Sequence, residues 1–393
     1  MNKKSIKDFD LKGKRVLIRV DFNVPLDGDL KITDDTRIKS SIPTIDYALK
    51  NGGSVVLMSH LGRPKGKVND SMRLTPVANR LKELLGKDVE KLDECIDDNV
   101  KAIVEKSKPG DIVLLENLRF HKEEEKNDPD FAKKLASLGD LFVNDAFGTC
   151  HRAHASTEGV TKYLPSASGF LVEKEIEYFE KILKAPEKPY VSILGGAKVS
   201  DKIEVINRLM ESVDAILIGG AMAYTFLKAQ GINVGASKLE ADKLDLAGQI
   251  LKKADQKKIR FILPSDHVIA DKVDKNATVN EVQNEIPDGW IGLDIGNATI
   301  KKFKEVLATA KTVVWNGPLG LFEMDRFANG TKEIAEYIAS LKCTSIIGGG
   351  DTAAAISKFG LEDKMSHIST GGGASLEYLE GKILPGIAAL NDK

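Results

Sequence analysis

Short, almost unbroken apolar runs that alternate with helical patterns restrict this chain's fold more than any other feature. In the first half they occupy Arg15–Val24, Ser54–His60, Asp111–Asn117 and Leu141–Phe147. Helical spacing fills the gaps, as in Asp35–Leu49 and Thr75–Leu85, the latter opened by Thr75-Pro76, an N-cap residue followed by a proline at the first helical position. A strand that is apolar at consecutive positions is buried on both faces, which calls for a parallel sheet covered by helices on each side. The second half repeats the style with runs at Tyr190–Leu194, Ala215–Ile218, Arg260–Leu263, Thr312–Trp315, Ser345–Ile347 and His367–Ser369. A chain of 393 residues exceeds the size at which one core stops growing, so two α/β domains are expected. Phe170–Leu183 reads as one amphipathic helix, closed by Ala185-Pro186 and Lys188-Pro189, and marks the boundary between them.

Several function classes drop out early. The formal net charge of -1 provides no bulk field for nucleic acid or an anionic membrane. Cys95, Cys150 and Cys343 are odd in number and far apart, which suggests reduced thiols and not a disulfide frame. The N-terminal stretch lacks an apolar signal core, and no window approaches a membrane span, so a cytoplasmic location is expected. His151 and His154 have no suitably spaced partners for zinc. No G-x-S-x-G, Walker or dinucleotide glycine pattern occurs.

Arginine is scarce, at 11 positions, and eight of these fall within the first 152 residues. Its planar fork suits bidentate capture of carboxylate and phosphate. Ligands on open parallel sheets bind beyond the carboxyl ends of the strands, so the residues just after each run are informative. In the first half they are polar and mostly cationic: Asp21 and Asn23, His60 and Arg63, Arg119, and Arg152, with Arg37 at the start of the first helix. Any one could be a solvated surface charge. Together they describe a site for a small polyanion.

In the second half the same positions are glycine-rich: Gly195-Gly196-Ala197-Lys198, Gly219-Gly220-Ala221, Asn316-Gly317-Pro318, Gly348-Gly349-Gly350-Asp351-Thr352 and Gly371-Gly372-Gly373. Glycine lets backbone amides approach phosphate, and each run is expected to open a helix whose N-terminus favours anions. Lys198 and Lys202, four apart, can both reach the first turn of a helix beginning near Val199. Asp351 suits either Mg²⁺ or a plain helix cap, and Glu323 either ribose hydroxyls or no ligand.

Long strings then carry a resemblance: Arg19-Val20-Asp21-Phe22-Asn23-Val24-Pro25, Ser59-His60-Leu61-Gly62-Arg63-Pro64, Asn144-Asp145-Ala146-Phe147-Gly148 with His151-Arg152-Ala153-His154, Leu194 to Lys202, Trp315-Asn316-Gly317-Pro318, Gly348 to Thr352, and Ser369 to Ser375. With these the chain resembles the phosphoglycerate kinase family along essentially its whole length. The resemblance implies two Rossmann-like lobes, each a mainly parallel sheet with helices on both faces, joined by a hinge helix. Residues 1–172 would form the domain for 3-phosphoglycerate, with residues 375–393 packing back on it. Residues 173–186 would form the hinge helix, and residues 187–374 the nucleotide domain.

It also implies reversible phosphoryl transfer between 1,3-bisphosphoglycerate and ADP, giving 3-phosphoglycerate and ATP, in a monomer. Asp21, Asn23, Arg37, His60, Gly62, Arg63, Arg119 and Arg152 would bind the acid. Gly195, Lys198, Lys202, Gly219, Gly292, Asn316, Glu323, Gly349, Gly350, Asp351 and Thr352 would bind ATP or ADP, with Asp351 toward Mg²⁺. Arg37, Lys198, Lys202, Gly371 and Gly372 would act on the transferred group. Asn297 and Cys150 depart from the family's usual proline and alanine. A carboxylate nucleophile is ionised near neutrality, which accounts for the lack of an evident general base. A dehydrogenase and a catalytically silent nucleotide-binding protein on the same fold are the rival readings.

Overall fold

The computed structural model describes residues 2–393. They fall into two compact units, one running to Glu177 and taking in Ile383–Lys393, the other Tyr178–Lys382.

In the first unit β1 (Arg15–Val20), β2 (Ser54–Met58), β3 (Glu90–Lys91), β4 (Ile112–Leu114), β5 (Leu141–Asp145) and β6 (Ser166–Ser168) form one sheet, ordered β3-β4-β2-β1-β5-β6. Every pairing in it is parallel. The consecutive apolar residues divide between two cores, as the pleat requires. Val16, Ile18, Val55, Leu57 and Val143 enter one cluster, while Leu17, Val56, Met58, Val113 and Phe142 enter the other. Helices therefore cover both faces.

In the second unit β7 (Tyr190–Leu194), β8 (Ala215–Ile218) and β9 (Arg260–Ile262) are followed by β10 (Asp266–Ala270), β11 (Val279–Gln283) and β12 (Ile291–Ile295), and then by β13 (Thr312–Asn316), β14 (Thr344–Gly348) and β15 (His367–Ile368). The main sheet runs β15-β14-β13-β7-β8-β9, and β11-β10-β12 make a separate antiparallel sheet. In each main sheet the chain reverses direction of travel once, between β1 and β5 and between β7 and β13. These are the switch points where crevices open beyond the strand ends.

The strands of the first unit stop short of the expected runs. Val20, Met58, Leu114 and Asp145 end them, and the polar residues beyond belong to loops. Leu74, not Thr75, occupies the cap position of the Thr75–Leu85 helix. The helix Phe170–Lys184 carries the chain from one unit into the next. The returning segment is tied into the first unit: Gly386 N donates to the Cys150 carbonyl at 2.9 Å, and Asn144 Nδ2 donates to the Gly386 carbonyl at 2.9 Å.

Candidate active site

Beyond the ends of β1, β2 and β4 the first unit gathers polar groups around two buried residues, Asp21 and His60, 5% and 4% exposed. Arg37, in the first turn of the Thr36–Lys50 helix, donates to Asp21 Oδ2. Asn23 Oδ1 accepts from Gly62 N at 2.8 Å, and Arg119 Nη1 donates to the Gly62 carbonyl at 3.0 Å, so one glycine residue links two loops. Arg119 rides on the short turn Leu118–Phe120, whose first amide-accepting cap is Asn117. Arg63 and Arg152 are exposed.

Positive charge dominates this cluster. Burial, then the guanidiniums of Arg19, Arg119 and Arg37, hold His60 well below its usual range. His154 falls to about 3 for the same reasons, burial first and then Arg119, Arg19 and Arg152. A pocket that keeps its imidazoles neutral and its guanidiniums charged favours an incoming anion.

The second unit contains a cavity of about 300 Å³ lined by Gly196, Tyr224, Lys238, Gly292, Glu323 and Asp351 among others. That volume reaches the range of small-molecule sites. Glu323 and Asp351 are exposed on its wall. Near the Asp351 end lies Lys202, 8% exposed, whose Nζ donates to Asn316 Oδ1. Burial lowers Lys202 to about 8, against the pull of Asp201 and Asp351 in the other direction. Asn316 Nδ2 is buried without a hydrogen-bond partner among the described residues. A Cβ on Gly349 would lie 3.3 Å from that nitrogen, so Gly349, with φ +87°, brings the start of the Gly350–Lys358 helix close to it. The first amides of such a helix have no intrahelical partner, and its dipole favours negative charge. Orphan amides, an unpaired amide nitrogen and a buried lysine thus share one corner.

The glycine runs need a different explanation from the one spacing suggests. Gly195 N donates to the Asn316 carbonyl, Gly196 N to Pro318, Gly219 N to Leu194 and Gly220 N to Leu319, all within 2.8–3.0 Å. Gly317 N donates to Thr352 Oγ1 at 2.7 Å, and Gly371 N to Ser369 Oγ at 3.1 Å. All of these but the Gly371 amide, which turns back on its own loop, tie one loop or strand end to another. A Cβ at Gly195 would collide with the Pro318 and Gly317 carbonyl oxygens, which is why glycine is required there. The Asn316-Gly317-Pro318 run opens no helix; the next helical turn is Asp325–Phe327. Asp351 is not the helix cap either, since Gly349 holds that place and Asp351 lies a residue inside. Thr352 is buried, Lys198 is exposed, and Gly371 and Gly372 follow the edge strand β15.

Sequence reading missed Arg19, Glu124, Ser156 and His154 behind the first cluster, and Tyr224 and Lys238 in the cavity. Arg19 sits inside β1, where one charge in an apolar run gives no sign of a site. It also missed the convergence of Glu94, Cys95 and His121 within 4.8 Å. There His121 Nε2 pairs with Glu94 Oε1 at 2.5 Å, while the Cys95 thiol donates to the Glu116 carbonyl at 3.0 Å, a brace between loops.

Cations at one switch point, and a buried lysine with free helix amides at the other, are the equipment of a doubly wound α/β protein that handles phosphate. The family model for phosphoglycerate kinase matches residues 6–382. A phosphoglycerate kinase of Dictyoglomus turgidum is 58% identical, with 100% of both chains covered. The chloroplastic phosphoglycerate kinase of Volvox carteri is 58% identical over 100% of this chain and 87% of its own length. The solved phosphoglycerate kinase structure from Coxiella burnetii superposes with a TM-score of 0.87 at 41% identity, covering 98% of each chain. The chain belongs to the phosphoglycerate kinase family, phosphotransferases with a carboxyl group as acceptor. Its substrates are accordingly 3-phosphoglycerate and ATP, or 1,3-bisphosphoglycerate and ADP. Among the described residues no helix is long and apolar enough to cross a membrane.

Proposed function

We propose that the transfer proceeds by positioning and electrostatic stabilisation without a general base. The substrate carboxylate is already ionised near neutrality, so no proton has to be removed before attack. The obstacle is repulsion between the acid and the triphosphate, which preorganised cations and amides can offset. Asp21, Asn23, Arg37, His60, Gly62, Arg63, Arg119 and Arg152 bind the acid, with Arg37 also reaching the transferred group. Lys202, Asn316 and the start of the Gly350–Lys358 helix take the phosphates; Lys198, Gly371 and Gly372 contribute from neighbouring loops. Gly292 and Glu323 border the nucleoside end, and Gly195, Gly219 and Thr352 hold the loops in place.

The observation that carries this reading is the corner at Lys202: a buried ammonium paired with a neutral amide, beside an orphan donor and a helix N-terminus. Such a corner favours an incoming anion, and a phosphate fits it. Asp351 fits a hard cation, because its exposed carboxylate stands at the cavity wall and offers an oxygen ligand. It would hold Mg²⁺, which when bound would neutralise part of the phosphate charge.

The units correspond to an acid-binding domain and a nucleotide-binding domain, joined at the Phe170–Lys184 helix. Closing about that helix excludes water from an acyl phosphate prone to hydrolysis. The protein acts as a cytoplasmic monomer. A coupled assay with ATP and 3-phosphoglycerate tests the activity. Wild-type turnover in a Lys202→Met variant would remove the corner's role.

A further inference from the structure

Arg19 is a fully buried arginine, 0% exposed, and cannot itself meet a ligand. Its Nε donates to Ser156 Oγ at 2.9 Å, one Nη to the Val20 carbonyl, and the other lies 3.1 Å from His60 Nδ1. Ser156 in turn is held by Glu124, its Oγ donating to Oε1 at 2.6 Å and its amide to Oε2 at 3.0 Å. Glu124 is 1% exposed, so the whole chain of contacts runs beneath the site.

A guanidinium has donors and no acceptor. The short contact to His60 therefore requires Nδ1 to accept, which leaves the ring's proton on Nε2. A second proton on Nδ1 would set one N–H against another. The charged and titratable groups facing the ring are Arg19, Arg119, Arg37, His154 and Asp21. The one carboxylate among them, Asp21, stands 3.8 Å from Nδ1, beyond hydrogen-bond reach, and its other oxygen is engaged by Arg37. Nothing in that set rewards an imidazolium enough to oppose three guanidiniums.

We propose that Arg19 is a positioning residue, which from its buried seat locks His60 as the neutral Nε2–H tautomer and so presents it to the bound acid as an uncharged donor of fixed direction. The Glu124–Ser156 pair holds Arg19 at its post. The part that concerns the acid rests on the reading of this unit as the 3-phosphoglycerate domain. A neutral donor holds its direction and strength across neutral pH, unlike a histidine that titrates there.

Long-range ¹H–¹⁵N correlation spectra of the full-length protein, with His60 assigned by its loss in His60→Gln, report the tautomer directly. The expected spectrum is neutral Nε2–H, unchanged from about pH 6 to about pH 8. An Nδ1–H tautomer or an imidazolium at neutral pH overturns the proposal, and this measurement needs no variant at Arg19. In Arg19→Met, where folded, the ring should show mixed neutral tautomers, while burial, Arg119 and Arg37 still hold it below its ordinary range. KM for 3-phosphoglycerate should then rise about tenfold, with kcat changed less. A locked Nε2–H ring in that folded variant overturns the proposal too. If the wild-type ring is Nε2–H but ignores saturating 3-phosphoglycerate, the acid does not bind against His60. That result overturns the ligand-facing half and the domain reading, and is distinguishable from a wrong tautomer.

Discussion

Nucleotide binding should draw a proton into the second unit near pH 8, and Lys202 should be where it goes. Lys202 is 8% exposed, and its ammonium touches the neutral Asn316 Oδ1. Burial brings it from 10.5 to about 8. At pH 8 the unliganded side chain is therefore about half protonated. A phosphate beside it restores the preference for the charged form, so each nucleotide bound should carry with it about 0.5 proton. Calorimetric titrations of ADP at pH 8, in buffers of differing ionisation enthalpy, give that number as a slope. The same series with Lys202→Met should lose the uptake, and at pH 6.5 the wild type should lose nearly all of it too. Equal slopes for wild type and variant at pH 8 would refute the placing of phosphate at this lysine.

The same residue sets a stability trend whose sign follows from linkage. Its folded value lies below its unfolded one, so the unfolded chain holds more protons between about pH 8 and about 10.5. Lys202 therefore penalises the ligand-free fold below pH 8, by about 3 kcal/mol, and the penalty fades as pH rises through that window. Methionine removes the charge but leaves Asn316 Oδ1 without its donor, which costs about 1–3 kcal/mol. Urea unfolding at pH 7 should find Lys202→Met as stable as wild type or better, by less than about 2 kcal/mol.

Other expectations are simpler. Arg37→Ala should lower kcat by about 100-fold or more, in line with loss of one preorganised donor; a coupled assay giving near-normal kcat would count against Arg37 at the transferred group. Gly195→Ala drives a Cβ into the Pro318 and Gly317 carbonyls and should destabilise by about 1–3 kcal/mol, read from the urea midpoint. An unchanged midpoint would mean the loops have room to spare. Small-angle scattering should find the protein more compact with both ligands bound than with neither, and superimposable profiles would speak against closure.

The parallel sheets were legible because burial on both faces leaves a plain mark: consecutive Val, Ile and Leu in runs such as Val55-Val56-Leu57. The antiparallel sheet left none. β11 reads Val279-Asn280-Glu281-Val282-Gln283 and is largely exposed, so it has no apolar face to announce it. β6 is Ser-Ala-Ser and β3 two residues long, both held by neighbours and not by their own composition. In the site, cations beyond strand ends could be read off because topology assigns those places to ligands. Gly195 and Gly317 read differently, since closeness of loop to loop and closeness of backbone to phosphate demand the same residue. Only hydrogen-bond partners separate the two, as they do for Gly195 and Gly317.

Each unit buries a cation whose direct partners are neutral. Arg19 has a hydroxyl, a carbonyl and an imidazole as its direct partners, with the nearest carboxylate, Glu124, one hydroxyl away. Lys202 has an amide oxygen. A buried cation is costly unless a negative charge compensates it, so structure alone would discard such side chains in favour of apolar ones. For Lys202, retention makes sense if the compensating charge arrives from outside, as phosphate; Arg19 is kept for what it does to His60. Lys202 then lowers the stability of the empty protein and raises its affinity for the anion, which is why the Lys202→Met variant should keep or gain stability in the same measurement series in which it loses its hold on nucleotide. A variant that lost both would show that the lysine's place is in the architecture and not in the chemistry.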